Sequence, residues 1–267
     1  MSLASIDRKR KILELLENDG KVKVKDLAVI LKVSTETIRN YLNDLEQEDK
    51  LKKVYGGAIN PTFFNNEPPA LEREIINQDG KERIGKMAVT LINDNDVIAI
   101  DEGTTPLRLT KRLKDKRNLT IITSSLNSLT VLIDLMSQNL FSGKIIMLGG
   151  EVNTTHHRIS GELTLEMLNN IHVDKFFISA DGLSTHSGVT SYDISKGMVT
   201  KKLIKHSNKN ILLLDHTKFN KRTHYKMAKF EDLDMIVSDN LPPENWNAFL
   251  DEHHIKWLIA DNENTES

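Results

Sequence analysis

Behind an apolar run at residues 97–100 stands Asp101-Glu102-Gly103-Thr104-Thr105-Pro106, a turn with the makings of an anion cradle. Pro106 suits the first position of a helix, where its missing amide would have no partner anyway, so Thr104 or Thr105 is expected as the cap. A glycine beside a helix N-terminus leaves amides free at the positive end of the dipole, which favours phosphate. Similar polar turns follow the later apolar runs: Thr123-Ser124-Ser125, Gly149-Gly150-Glu151, Ala180-Asp181-Gly182 with Gly188 beyond it, and Asp215-His216-Thr217-Lys218. In an open parallel sheet, ligands sit beyond the carboxyl ends of the strands, so these turns share one edge. There Asp101, Asp181 and Asp215 would accept from sugar hydroxyls, and Lys218 would neutralise a phosphate. Ordinary capping explains any one turn. Five polar turns on one edge point instead to a pocket for a small phosphorylated sugar.

A second chemistry lies in residues 34–57, STETIRNYLNDLEQEDKLKKVYGG. Ser34 can cap a helix, and Ile38, Leu42 and Leu45 follow at helical spacing as its buried stripe. The opposite face carries Glu36, Asn40, Asn43 and Gln47, with Thr35, Thr37 and Arg39 in the N-terminal half. Arginine bonds guanine in a bidentate manner and asparagine does the same with adenine. Arg8 to Lys11 cluster on an earlier helix, and Lys50, Lys52, Lys53 and Tyr55 fall on a hairpin closing at Gly56-Gly57. Such side chains meet backbone phosphate. Each charge alone would be an ordinary solvated one. Together they sit on a helix, helix, corner at Lys32-Val33, long helix and wing, the order of a winged helix-turn-helix.

The elements that position these residues fall into two groups. Helices are expected at about residues 6–18, stopped by Asp19-Gly20, then 24–31 and 34–48. Residues 60–70, NPTFFNNEPPA, hold three prolines and break regular structure. Asp79 and Glu82 are spaced as a capping box for the next helix. Strands are then expected at 97–100, 119–123, 144–148, 175–179, 211–214, 235–237 and 257–259. Helices at 105–114, 127–138, 161–170, 196–207 and 243–250 alternate with them. The fold class is α/β: an N-terminal winged helix-turn-helix domain (1–59), a linker (60–70), a mostly parallel Rossmann-like sensor domain (71–260) and a frayed tail (261–267).

Composition sets bounds. Hydrophobic residues make up 39% and charged residues 28%, the balance of a globular chain with a real core. There is no cysteine, which removes disulfides, thiol catalysis and thiolate-bound zinc. No apolar run reaches the roughly 18 residues of a membrane span, and no secretory segment opens the chain, so a cytoplasmic protein without membrane partners is expected. The net charge of −2 divides into +2 for residues 1–60 and −4 for the rest. Residues 80–87, GKERIGKM, nearly match a phosphate-binding P-loop. Met87 replaces the required hydroxyl and no strand precedes the segment, so an ATPase is rejected. The pairs His156-His157 and His253-His254 lack helix-face metal spacing, and neither a metal nor a cofactor is expected.

At this point the chain resembles the DeoR family of bacterial transcriptional regulators over nearly its whole length. In the head the likeness rests on Val33-Ser34, Thr37-Ile38-Arg39, Leu42, Leu45, Leu51 and Gly56-Gly57. In the body it rests on Asp101, Gly103-Thr104-Thr105, Thr123 with Ser125, Gly149-Gly150, Gly161, Asp174 with Phe177, Gly182, Gly188 and Asp215 with Lys218-Phe219. The resemblance implies a repressor of a sugar-catabolism operon that releases operator DNA when its sensor binds a phosphorylated sugar. It also implies a sensor similar in fold to ribose-5-phosphate isomerase, and a homodimer or homotetramer. Asn40 and Tyr41 stand where the family usually has Arg and Asp, which bears on the operator sequence. Ser124 replaces a usual Asn, and Thr200, next to Lys201, aligns with a usual Lys.

Two further readings stay open from sequence alone. One is a sugar-phosphate isomerase with a DNA-binding appendage, Asp181 serving as base. The other is a DNA-bound platform whose pocket binds nothing. Turnover of sugar phosphates would mark the first, and indifference to a broad ligand panel the second.

Overall fold

A computed structural model describes residues 3–19, 21–48, 50–54, 56–59 and 67–261. The chain divides into two compact units, Met1–Glu67 and Pro68–Ser267. Gly20, Tyr55, most of the expected linker (60–66) and the tail beyond Asp261 lie outside the described residues.

The first unit contains α1 (Leu3–Asp19), β1 (Lys21–Lys23), α2 (Val24–Leu31), α3 (Thr35–Gln47), β2 (Lys52–Val54) and β3 (Gly57–Ile59). The corner after α2 is made by Lys32 in the left-handed region (φ 51°, ψ 49°), a place that more often holds glycine. Its neighbour Val33 returns its N–H to Ala28 O (3.1 Å), closing the end of α2. Ser34 then caps α3, its Oγ accepting from the Thr37 N–H at 3.1 Å. Ile38, Leu42 and Leu45 pack with Ile12, Leu16, Leu27, Leu51 and Ala58 into one apolar core. The wing has three strands in the order β1-β3-β2, all antiparallel. The strand β1 had not been expected. Gly57 admits it: a Cβ there would lie 2.0 Å from the Val22 carbonyl oxygen.

The second unit opens with α4 (Ala70–Ile75) and α5 (Gln78–Val89), followed by β4 (Val97–Ile100), α6 (Thr104–Thr110), β5 (Leu119–Thr123), α7 (Leu126–Ser137) and β6 (Gly143–Met147). Next come the hairpin β7 (Glu151–Asn153) and β8 (Arg158–Ser160), then α8 (Glu162–Met167), β9 (Lys175–Ile178), β10 (Gly182–Ser184), β11 (Gly188–Ser191) and α9 (Ile194–Lys205). The unit closes with β12 (Asn210–Leu213), β13 (Tyr225–Ala228), β14 (Met235–Ser238), α10 (Asn247–Glu252) and β15 (Lys256–Ile259).

Seven strands form one parallel sheet in the order β15-β14-β12-β9-β4-β5-β6. Its strands are apolar on both faces because separate cores cover the two sides, one around Phe176, Leu212 and Trp246, the other around Ile98, Ile121 and Phe177. From β4 the chain builds outward through β5 and β6, then returns to β4's other side to add β9 and β12. The reversal falls between β4 and β9, where open α/β sheets place their ligands. Strands β10, β11 and β13 form a separate small antiparallel sheet.

Three local expectations are corrected. Helix α5 starts at Gln78 behind Asn77, which is left-handed (φ 48°) and makes no side-chain cap, so Asp79 and Glu82 form no capping box. Glu82 instead holds Arg108 (3.1 Å) on α6 and Arg112 (2.6 Å) just beyond its end. Helix α6 is capped by Gly103, with neither threonine capping, and Pro106 is its third residue. Proline is tolerated there because first-turn amides have no partner within the helix. Helix α4, where the expected linker ends, buries only Ala70 and Arg73. Helices α5 and α6 touch closely: a Cβ on Gly85 would lie 2.6 Å from the Arg108 carbonyl carbon.

Candidate functional site

In the head, Thr35, Glu36, Arg39, Asn40 and Asn43 are all exposed on α3. Arg39 pairs with Glu36 at 3.2 Å, an exposed contact of little worth that a phosphate or base edge can replace. Ser34 and Thr37 are engaged with each other, Oγ to Oγ1 at 2.9 Å, and act as cap rather than as free donors. Lys11 is exposed beside Glu14 (2.8 Å), and Arg8 is half-buried. Lys9 is buried and ties α1 to the end of α3 through Asp44 at 2.8 Å. The wing is tied to the same helix, since Lys53 donates from its backbone to Glu46 (2.7 Å) and from its ammonium to Asn43 Oδ1. The Lys52 side chain and Tyr55 lie outside the described residues.

In the sensor, three of the five polar turns meet in a cleft of about 430 Å³, mouth included. Gly103, Thr104 and Thr105 come from the turn after β4, Ser179, Ala180 and Asp181 from that after β9, and Asp215 and Lys218 from that after β12. Arg73 of α4, Lys81 of α5 and Lys196 of α9 complete the polar wall. Four cations thus face two carboxylates, which favours an anionic ligand. Gly103 has φ 141°, a conformation closed to other residues, and a Cβ there would sit 2.8 Å from Ser179 Oγ.

The other expected residues are elsewhere. Thr123, Ser124, Ser125, Gly149, Gly150, Asp101 and Gly182 do not line the cleft. Strands β5 and β6 lie beyond β4, on the side away from β9 and β12, so their turns are carried off the crevice. The β7–β8 hairpin covers them: Ile159 N–H donates to Ser124 O (2.8 Å) and Leu126 N–H to His157 O (2.9 Å). Thr123 Oγ1 donates to Ile100 O (2.8 Å), and Ser125 caps α7 through the Ser128 N–H (3.1 Å). Gly149 O accepts from Thr164 Oγ1 (2.7 Å), and Gly150 is exposed. Gly182 packs against the Lys221 carbonyl, which a Cβ would approach to 2.4 Å. Thr200 is buried near Asp101 (3.5 Å) and Lys201 points to solvent; neither lines the cleft.

A buried charge network lies behind the pocket wall. Glu102 Oε1 is 3.1 Å from Lys196 Nζ and 3.0 Å from an Arg158 nitrogen, and its Oε2 is 3.8 Å from Arg73. Asp181 is 3.8 Å from Lys196 and 4.0 Å from Arg73, and it accepts from Ser191 Oγ (3.1 Å) and the Tyr192 N–H (3.2 Å). Burial pushes both carboxyls up, but Lys196 and Arg73, joined by Arg158 at Glu102 and Lys218 at Asp181, outweigh it and hold each at about 2. Asp101 goes the other way. Burial, with Glu102's charge beside it, raises its carboxyl to about 6 against the pull of Lys196 and Ser179. Its oxygens are taken by the Ser179 N–H (3.0 Å) and Oγ (3.1 Å) and the Glu102 N–H (3.0 Å). Burial lowers the Lys81 ammonium to about 8.

These shifts carry opposite signs for stability. Glu102 and Asp181 have folded values below their unfolded ones, so their contribution is complete above about pH 4.5 and is lost as pH falls toward 2. Asp101 binds its proton more tightly when folded, so its contribution declines as pH rises from about 4 to 6. The melting temperature, followed by circular dichroism, is expected to rise modestly from pH 6 to 5 as Asp101 takes up its proton, and to drop steeply below pH 4. Equal melting temperatures at pH 5 and 3 would contradict the network.

A helix-turn-helix head and an α/β domain with a cation-lined cleft define a ligand-responsive transcriptional regulator. The chain belongs to the DeoR family. Residues 8–62 match the DeoR-like helix-turn-helix domain, and residues 76–240 match the DeoR C terminal sensor domain. The HTH-type transcriptional regulator GolR of Listeria innocua is 36% identical over 240 residues, covering 88% of this chain and 90% of GolR. The HTH-type transcriptional repressor GlcR of Bacillus subtilis is 30% identical over 250 residues, 94% of each chain. The glycerol-3-phosphate regulon repressor of Escherichia coli is 29% identical over 245 residues, 92% of this chain and 95% of that one. Ribose 5-phosphate isomerase A from Neisseria gonorrhoeae overlays on 53% of this chain and 54% of its own, with a TM-score of 0.38 and 17% identity.

Proposed function

We propose that this regulator represses a sugar-catabolism operon in the cytoplasm and releases its operator when a phosphorylated sugar enters the sensor cleft. The observation that carries this is the convergence of Arg73, Lys81, Lys196 and Lys218 on the Gly103–Thr105 turn; Asp181 and Asp215, which line the same cleft, would accept from hydroxyls. A relative is named for the glycerol-3-phosphate regulon, which agrees with a small phosphorylated ligand. The phosphate would sit at the Gly103–Thr105 amides with Lys218. Asp101 would brace the wall from behind through Ser179.

Release would run through α4. That helix is held by Arg73 and by Glu74, which pairs with Arg108 (3.1 Å) and Lys111 (3.7 Å), while Leu71 and Ile75 stay more than two-thirds exposed. A ligand anion competes with Glu102 and Asp181 for Arg73. It thereby favours a second position of the helix that leads to the head, and its differential affinity for the two positions limits the response. The paired heads of a homodimer or homotetramer would lose register with a two-fold operator.

On the head, Arg39, Asn40, Asn43, Thr35 and Glu36 would face the major groove. Arg8, Lys11, Lys52, Lys53 and Tyr55 would meet the backbone, with Ser34 and Thr37 fixing the helix. Arg39→Ala is expected to weaken operator binding by about tenfold to a hundredfold. Affinity should also fall steeply with salt as phosphate contacts release counterions. Fluorescence anisotropy with operator DNA reads both effects, and a salt-independent affinity would refute backbone contact by the wing and α1. For the ligand, a thermal-shift panel of sugar phosphates should raise the melting temperature with at least one member. No shift across the panel would favour a non-binding pocket.

The isomerase alternative is weakened by the charges. A base acting near neutral pH needs a tuned carboxylate, and Asp181 is held at about 2. Asp101, at about 6, does not line the cleft. Steady turnover of a pentose or hexose phosphate would reverse this conclusion.

A further inference from the structure

The small antiparallel sheet carries a second cleft that the regulatory reading leaves unused. Residues 216–230 contain five Lys/Arg, two His and no Asp or Glu, within a body whose net charge is −4. They form one wall of a cleft of about 490 Å³, mouth included, with Arg222, Thr223, His224 and Lys226. His186, in the β10–β11 turn, stands opposite, and Thr190 lies between. No carboxylate lines it. The side chains of Arg222, Lys226 and His186 have no ion-pair or hydrogen-bond partner among the described residues. Thr223 Oγ1 is shut off from solvent and also lacks a partner. Thr190 Oγ1 donates to Gly182 O (3.2 Å) and accepts from the Thr223 N–H (3.1 Å), so it does not use the Thr223 hydroxyl.

Unpaired cations around a concave surface concentrate anions there, and a guanidinium matches phosphate oxygens in a bidentate manner. The Arg222 and Lys226 cations stand exposed at the rim of the concave cleft. Such a cleft suits a compact group that carries its charge at one end, as a terminal phosphoryl does, better than an extended phosphodiester chain. We propose that this cleft is a second anion site, taking the phosphoryl group of inorganic phosphate or of a small phosphate ester, independent of the cleft at Gly103.

Isothermal titration of the full chain with inorganic phosphate, and separately with glucose 6-phosphate, tests this in the wild type, Arg222→Gln/Lys226→Gln and Gly103→Ala. The expected result is a site weakened about tenfold or more by the double substitution and retained in Gly103→Ala. Binding of phosphate alone or only of the ester at that site supports the proposal and tells the two sources apart. The proposal is overturned if Arg222→Gln/Lys226→Gln binds both as the wild type does, or if all binding disappears with Gly103→Ala. Failure of the Gly103 cleft alone, with this site intact, would instead count against the proposed effector pocket.

Discussion

Gly103→Ala is expected to yield a regulator that keeps hold of its operator when the effector is added. The glycine's φ of 141° lies in a region that only glycine occupies readily, at a cost of about 1–3 kcal/mol for other residues. The new methyl would also stand 2.8 Å from Ser179 Oγ and 2.9 Å from Ser179 Cβ, just past the end of β9, the strand next to β4. Either the turn or Ser179 must move, and the amides of Thr104 and Thr105 move with the turn. Operator affinity should match the wild type, because the head is a separate compact unit. Effector affinity should fall by at least about tenfold, the equivalent of about 1.4 kcal/mol of lost contacts. Anisotropy with labelled operator, titrated with the sugar phosphate found in the thermal-shift panel, measures both. Lys218→Gln changes no backbone and should weaken the effector in the same direction. If both variants release DNA at the wild-type effector concentration, the pocket assignment fails.

Lys196→Met should cost the sensor more stability than any exposed substitution. The ammonium lies between Glu102 (3.1 Å) and Asp181 (3.8 Å), and all three side chains are almost wholly buried. Removing one member of a buried ion cluster typically costs about 3–5 kcal/mol. For a domain of this size that lowers the melting temperature by about 6–20 °C. The loss should depend on pH in a defined direction. Above about pH 4.5 both carboxylates are ionised and feel the missing cation in full. As pH falls they take up protons, and the difference between variant and wild type should shrink. A deficit as large at pH 3.5 as at pH 7 would show that packing, not charge, is what Lys196 supplies.

Much of the head could be read along the chain because its signals are local. The Ser34 cap, the Ile38, Leu42 and Leu45 stripe and the span of α2 all follow from spacing within a few turns. The seven strands of the main sheet were legible for a similar reason, as apolar runs with helices between them. Their order was not, and the order decides which turns share the crevice. Gly103–Thr105, Asp181, Asp215 and Lys218 meet because β4, β9 and β12 are adjacent, whereas Thr123–Ser125 and Gly149-Gly150 lie beyond β4. Arg73, Lys81 and Lys196 look like ordinary surface charges in sequence, since each stands among other polar residues of a helix. Lys81 even falls inside the rejected P-loop lookalike. Only burial against Glu102, Asp181 and the Arg73 carbonyl sets them apart. Ser179, at the carboxyl end of β9, obeyed the same strand-end logic as the residues that were named.

Gly85 gives the effector cleft a mechanical asymmetry. With no side chain between α5 and α6 at that point, the two helices bear directly on each other, so Lys81 and the Gly103–Thr105 turn sit on one closely packed jaw. Arg73 and Ile76, which face them from α4 and its end, belong to a loose jaw with almost no apolar anchorage. Substitutions that tune the grip on phosphate would then accumulate on the stiff side and leave the response intact. Those on the yielding side would change how far the jaw travels, and so how sensitively gene expression follows the metabolite.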